Sequence, residues 1–164
     1  MTGTHDTTIP GIAVVIDEKA VRVTSELPLA VLGSAVVGGA FVGLSNTSNA
    51  GITPPLAPAP GTINAILLVD AALTPGAMVN AVITATEAKT MTLATWDVRT
   101  PQGDPASGTS TDSLVVACTR RGAGLSYAGP ATTVGWLVAR TVRAAITRLC
   151  REKVERDGGR RIGW

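Results

Sequence analysis

Ile63-Asn64-Ala65-Ile66-Leu67-Leu68-Val69-Asp70, followed closely by Leu73-Thr74-Pro75-Gly76-Ala77-Met78, decides how this chain folds. The first stretch is an apolar run that stops at a carboxylate, the pattern of a buried central strand. Thr74-Pro75 then reads as an N-cap and first helical residue, because a threonine hydroxyl can accept from the free amides there and proline lacks the N–H that would go unpaired. Met78, Ala81, Val82 and Ala85 follow at helical spacing and give one apolar stripe. A strand passing directly into a helix points to a mixed α/β layer structure.

Working outward, the same alternation continues. Pro101 to Asp112 is a polar, glycine-bearing loop, and Ser113–Cys118 is the next buried strand. Thr132 or Thr133 caps a last helix whose buried stripe is Val134, Val138, Thr141, Val142, Ala145 and Leu149, with Arg140, Arg143 and Arg151 outside. Gly158-Gly159 ends it. Upstream, Gly11–Ile16 and Val21–Ser25 form a hairpin around Asp17-Glu18-Lys19, and Leu29–Leu44 holds one or two inner strands joined at Gly38-Gly39. Ser45 to Pro60, rich in proline and small polar residues, is a loop. The expected fold is therefore α/β with mixed α+β layers: a mixed β-sheet packed by two main helices at about residues 75–95 and 133–154. It is a single domain over 1–164, with flexible tails at 1–10 and 157–164.

Composition agrees with one domain. The chain has 164 residues, 45% hydrophobic and 16% charged, which is enough apolar material for a sizeable core. Only 3% is aromatic, so Val, Ile, Leu and Ala must build that core. The net charge of +2 hides an asymmetry: from Arg140 onward eight basic residues face three acids, a net of +5, which leaves −3 for the rest. That basic end reads as a solvated helix face, and no aromatic-interleaved patch of the kind single-strand binders use accompanies it, so nucleic acid is not expected. Cys118 and Cys150 make no disulfide framework and no metal-ligand spacing. Met1 to Pro10 has no signal-peptide core, and the uncharged stretch Leu27–Leu44 is broken by Pro28, Ser34 and glycines. The reading is a cytoplasmic protein without a membrane span. Its low charge and apolar stretches are compatible with a homo-oligomer.

His5 is the single histidine and lies in the expected N-terminal tail. That excludes Ser-His-Asp and Cys-His chemistry and makes a zinc site unexpected. No P-loop or dinucleotide fingerprint is present. Two polar clusters remain. Thr86-Glu87-Ala88-Lys89 interrupts an apolar helix with a carboxylate and an ammonium. Residues two apart on a helix point to nearly opposite sides, so Glu87 and Lys89 share one site only if the helix ends or distorts there; otherwise one faces the site and the other solvent. Ser107-Gly108-Thr109-Ser110-Thr111-Asp112 precedes a buried strand. Its hydroxyls and amides could hold an anion or oxyanion, and an ordinary strand-leading turn explains it about equally well.

Taken together and in order, several segments resemble the adenosylcobinamide amidohydrolase family: Gly61-Thr62-Ile63-Asn64, Leu73 to Ala77, Ala85-Thr86-Glu87-Ala88-Lys89-Thr90, Ser107 to Asp112 before Leu114-Val115-Val116-Ala117, and Ala128-Gly129 through Gly135. Ser34 to Gly39 matches more weakly. The loop departs from the family's usual Thr-Gly-Thr-Gly-Thr-Asp-like form at Ser107 and Ser110. The last helix has Thr132-Thr133 and Trp136 where the family often has a histidine and a glutamate. The resemblance implies hydrolysis of the amide joining a corrin side chain to aminopropanol, with release of adenosylcobyric acid in corrinoid salvage. A corrinoid is then the substrate and no cofactor is required; metal dependence is left open at this point. In that reaction Glu87 is the expected general base, and Lys89 stabilises charge or donates the proton. The Ser107–Thr111 loop supplies oxyanion donors, and Asp112 and Asn64 orient these groups. Asn64, Thr86, Ser107, Gly108, Thr109, Ser110 and Thr111 are the expected substrate contacts; Glu87, Lys89 and Asp112 are the catalytic set. Thr109 or Thr111 as a nucleophile activated by Lys89 is a variant. A corrinoid-binding or regulatory module of the same fold without hydrolysis is the alternative, and an unrelated structural protein a third.

Overall fold

The computed structural model describes residues 3–16, 21–33, 46–55 and 61–162. Its centre is a mixed sheet of β4 (Ala30–Gly33), β9 (Ser113–Cys118) and β6 (Asn64–Val69), with β9 in the middle. β6 runs parallel to β9 in the register Asn64↔Ser113 to Val69↔Cys118, and β4 runs antiparallel to β9 with Ala30 opposite Cys118. A parallel pair needs a long crossover, and α1 (Pro75–Thr95) supplies it. α2 (Thr133–Arg156) follows β9 and packs against α1. The expected mixed α/β layering with two main helices is what the chain forms.

Strand alternation sends Leu67 and Val69 of β6, and Val116 and Cys118 of β9, into one core with Ala77, Met78, Ala81 and Ala85 of α1 and Val138 of α2. The alanines let helix and sheet backbones approach closely. On the other face of β6, Ile66 is 44% exposed. The sequence made Ile63–Val69 the central strand. That role belongs to Ser113–Cys118, which pairs on both sides. An apolar run alone does not report how many neighbours a strand has.

Thr74 caps α1 as expected, its Oγ1 accepting from the Ala77 N–H at 3.2 Å. Thr132 caps α2, with Oγ1 accepting from the Gly135 N–H at 3.0 Å. The buried stripe of α2 differs from expectation: Thr141 and Ala145 are exposed, and Gly135, Val138, Ile146 and Cys150 are buried. Gly135 explains the rotation. A Cβ there would run into the carbonyl oxygens of Ala128 and Gly129, so only glycine lets α2 lie against that backbone. The Ala128 carbonyl also accepts from the buried Thr84 Oγ1 of α1 at 3.0 Å, tying both helices to one turn. Cys118 and Cys150 are both buried free thiols, and burial pushes the Cys150 thiol up to about 11.

Smaller elements complete the molecule. β1 (Gly3–Asp6), β2 (Ile12–Ile16) and β3 (Val21–Ser25) form an antiparallel ribbon. β7 (Ala72–Leu73) pairs with β10 (Gly124–Leu125), and β5 (Thr47–Ser48) pairs with β8 (Gly108–Thr109). The hairpin expected at 11–25 is present, and β4 realises the start of the inner-strand segment expected over 29–44. The remainder of that segment, with Gly38-Gly39, lies outside the described residues.

The two ends expected as flexible tails make defined contacts where the chain is described. Gly3–Asp6, His5 included, pairs in register with Ala13–Ile16. At the other end Gly158 and Gly159 take φ of 67° and 85°, with their N–H groups donating to Glu155 O and Val154 O. The chain then turns back so that Ile162 is 2% exposed, packed with Ile63, Leu93, Val98 and Ile146, and its carbonyl accepts from the Arg99 N–H. Hydrophobic burial of one isoleucine holds this segment, which its polar composition conceals.

Gly135→Ala is expected to lower stability by about 2 kcal/mol, because the obstacle is backbone that cannot swing aside. Thermal unfolding followed by circular dichroism measures this, and an unchanged midpoint would show that α2 does not need the close approach.

Candidate active site

α1 is helical without interruption from Pro75 through Thr95. The break required for Glu87 and Lys89 to act side by side is therefore absent. Glu87 is exposed and is not among the residues lining the cleft described below, whereas Lys89 turns inward. Two residues on a helix differ by roughly 200° in direction, which is the physical reason for the separation.

Lys89 pairs through Nζ with Asp112 Oδ2, and the two side chains are only 17% and 19% exposed. The other carboxylate oxygen, Oδ1, accepts from the Thr109 hydroxyl, from the Thr109 N–H at 3.1 Å and from the Ile63 N–H at 3.2 Å. A half-buried carboxylate must have such partners, since leaving its lone pairs unmet in a low-dielectric setting is costly. Asp112 thus ties α1, the Gly108–Thr109 strand and the start of β6 together immediately before β9. Gly108 makes the contact possible, because a Cβ there would collide with Asp112 Oδ2 and Lys89 Nζ.

The pair lies in a cleft of about 270 Å³ at the N-terminal ends of β6 and β9. Ile63, Ala65, Val82, Ala85, Leu114 and Val142 give it apolar walls, and Thr86, Ser113, Lys89 and Asp112 supply polarity. Ser113 Oγ donates to Asn64 Oδ1 at 2.6 Å, and Thr86 Oγ1 donates back to Val82 O at 2.9 Å. The carboxyl ends of the same strands carry a different cluster. There Asp70 Oδ1 accepts from Thr119 Oγ1 at 2.7 Å and Arg121 Nε at 2.9 Å, which hold its carboxyl below the usual range.

The remaining predicted residues divide between two sides of one loop. Thr109 is buried, with its hydroxyl committed to Asp112. The Ser107 N–H donates to Ser48 O, Ser107 Oγ accepts from the Ala50 N–H, and the Ser107 carbonyl accepts from Thr90 Oγ1. Ser110 accepts at Oγ from the Asn46 amide and donates its N–H to Asn46 O at 3.1 Å. Thr111 is exposed, and its carbonyl accepts from Thr62 Oγ1 at 2.7 Å. The amides of Ser107, Thr109 and Ser110 therefore donate within the protein. The donor that faces charge in the cleft is Lys89. Sequence reasoning missed Ser113, the Ile63 amide and the Asn46–Ala50 segment, and only the last carried a signal, its unusual length as a loop.

The family model for adenosylcobinamide amidohydrolase matches residues 33–158, a span that includes the whole cleft and both sides of its loop. The chain belongs to the adenosylcobinamide amidohydrolase family. An uncharacterized protein of Methanocaldococcus jannaschii is 40% identical over 88 residues, 52% of this chain and 34% of that relative. The adenosylcobinamide amidohydrolase of Halobacterium salinarum is 39% identical over 87 residues, 53% of this chain and 35% of that relative. The chain thus spans about a third of the length of these curated relatives. No solved structure matches it. Among the described residues, no cluster of His, Cys, Asp or Glu is arranged to hold a metal ion, and no helix is long and apolar enough to cross a membrane.

Gly108→Ala is expected to disrupt the Lys89–Asp112 pair, since Asp112 is pinned through Oδ1 and cannot step aside. The expected cost is about 2 kcal/mol in a denaturant titration. Full retention of stability would mean that the pair yields freely.

Proposed function

We propose that the chain is an amidohydrolase acting on the aminopropanol amide of adenosylcobinamide, with Lys89 and Asp112 as its reactive pair. The observation that carries the proposal is that this ion pair is set in an apolar cleft within the family-matched span. Drug-sized ligands fill roughly 300–1,000 Å³, so a cleft of about 270 Å³ suits a single chain-like arm and leaves a macrocycle outside. The apolar walls keep bulk water from screening the ammonium, which strengthens its hold on a developing oxyanion.

In this reading a water molecule adds to the amide carbon and passes its proton to Asp112 Oδ2, while Lys89 Nζ donates to the carbonyl oxygen as it becomes negative. When the carbon–nitrogen bond breaks, the departing nitrogen takes the proton from Asp112. A carboxylic acid and a free aminopropanol result. Thr109 keeps Asp112 in place through two hydrogen bonds to Oδ1. Water is the only co-reactant, and a cytoplasmic setting with a soluble corrinoid fits this chemistry.

A second reading, corrinoid binding without hydrolysis, is favoured by the exposure of Glu87 outside the cleft. Incubation with adenosylcobinamide, assayed for adenosylcobyric acid, separates the two. Turnover is expected, falling at least ~100-fold in Lys89→Met, the scale of losing one oxyanion donor. Glu87→Gln is expected to stay within about threefold, as surface changes away from a site do. A large loss in Glu87→Gln with little in Lys89→Met would return Glu87 as the base and overturn the assignment.

A further inference from the structure

The loop Ser107–Asp112 walls two cavities. Its Asp112 end lines the cleft beside Lys89. Ser110 lines a separate cavity of about 250 Å³ with the segment 46–55, including Asn46, Ser48, Asn49 and Thr53. Hydrogen bonds clamp that segment to the loop, among them the Ser107 N–H to Ser48 O at 2.9 Å, the Ala50 N–H to Ser107 Oγ at 2.9 Å, and the Ser110 N–H to Asn46 O at 3.1 Å. The short β5–β8 pairing adds to the clamp. Nothing in the proposed amide chemistry uses this second cavity.

Its lining has no charged residue; the polar side chains are amides and hydroxyls, set beside Ala50, Pro54 and Pro55. Ser110 Oγ receives a hydrogen bond from Asn46 and keeps its own proton to donate. Thr53 Oγ1 accepts from the Asn49 N–H at 2.8 Å, which holds the Asn49 backbone at the wall of the cavity. An uncharged cavity furnished with both donors and acceptors matches a neutral group that also donates and accepts, which is the chemistry of a primary carboxamide. An anion would meet no cation here, and an apolar group would strand the amides.

We propose that the segment 46–55 and Ser110 form a second subsite that binds a neutral carboxamide on the body of the substrate while the scissile amide occupies the cleft. This rests on the reading of the chain as an amidohydrolase and extends it, because a cleft sized for one arm leaves the rest of the molecule to be held elsewhere. The loop joins the two sites through a few residues of backbone, so a substrate held at Ser110 is held close to Asp112. Asn46, Asn49 and Ser110 are positioning residues in this scheme.

The test is Asn49→Leu, at a half-buried loop position outside the sheet and helices. Steady-state hydrolysis of adenosylcobinamide and equilibrium binding, followed by corrin absorbance, are measured on wild type and variant. A small N-(2-hydroxypropyl) amide lacking the corrin ring serves as a control substrate. KM and Kd for adenosylcobinamide are expected to rise about tenfold with kcat unchanged, the effect of losing one hydrogen bond to the substrate. Hydrolysis of the small amide is expected to be equal in both proteins. An unchanged KM and Kd, or a fall in kcat alone, overturns the subsite while leaving the hydrolase reading intact. Wild type that binds without turnover removes the hydrolase reading, and the Kd ratio still decides the subsite. Wild type that neither binds nor turns over removes both.

Discussion

Asp112 is the residue on which the arrangement depends. One carboxylate oxygen gathers donors from Thr109 and from the first residue before β6, and the other meets the ammonium of Lys89 on α1. A carboxylate held this way joins a helix, a strand start and a loop that are far apart in sequence. Breaking one partner of such a pair leaves a charge in a poorly solvated place, which is why the elements around it must keep their positions. Gly108 beneath the pair and Gly135 beneath α2 are two instances of one device: a missing side chain lets charged or backbone groups come closer than any Cβ would allow.

The consequence for function is a division of labour within one loop. Thr109 and Asp112 serve the charged cleft, while Ser107 and Ser110 serve the clamp to the segment 46–55. A run of Ser, Gly, Thr and Asp looks chemically uniform in one dimension. In three dimensions the amides of Ser107, Thr109 and Ser110 donate within the protein, and the lysine across from the loop pairs with its aspartate. The cleft sits at the N-terminal ends of the parallel strands, opposite to where open α/β sheets most often place ligands.

Much of the framework was legible before folding. Thr74-Pro75 marks its helix start through capping chemistry that needs no tertiary context, and Thr132 does the same for the last helix. The stripe Met78, Ala81 and Ala85 declares its face by periodicity. The α2 stripe was only half legible: Val138 obeys periodicity, but Gly135 rotates the helix and exposes Thr141 and Ala145. Ile162 was not legible at all, since an isolated isoleucine among glycines and arginines has no periodicity to reveal its docking.

The sequence by itself determined the strand–helix–strand–helix order and the family's run of Thr, Glu, Lys, Ser and Asp residues. It also set a condition, that Glu87 and Lys89 cooperate only where a helix breaks. Tertiary structure decided the rest. It kept α1 continuous, turned Glu87 to solvent, and brought Lys89 to a carboxylate that lies after the end of its helix. Local propensities act over a few residues, so they specify elements. Which charged side chain meets which depends on how those elements pack, and that is settled only when the whole core is buried.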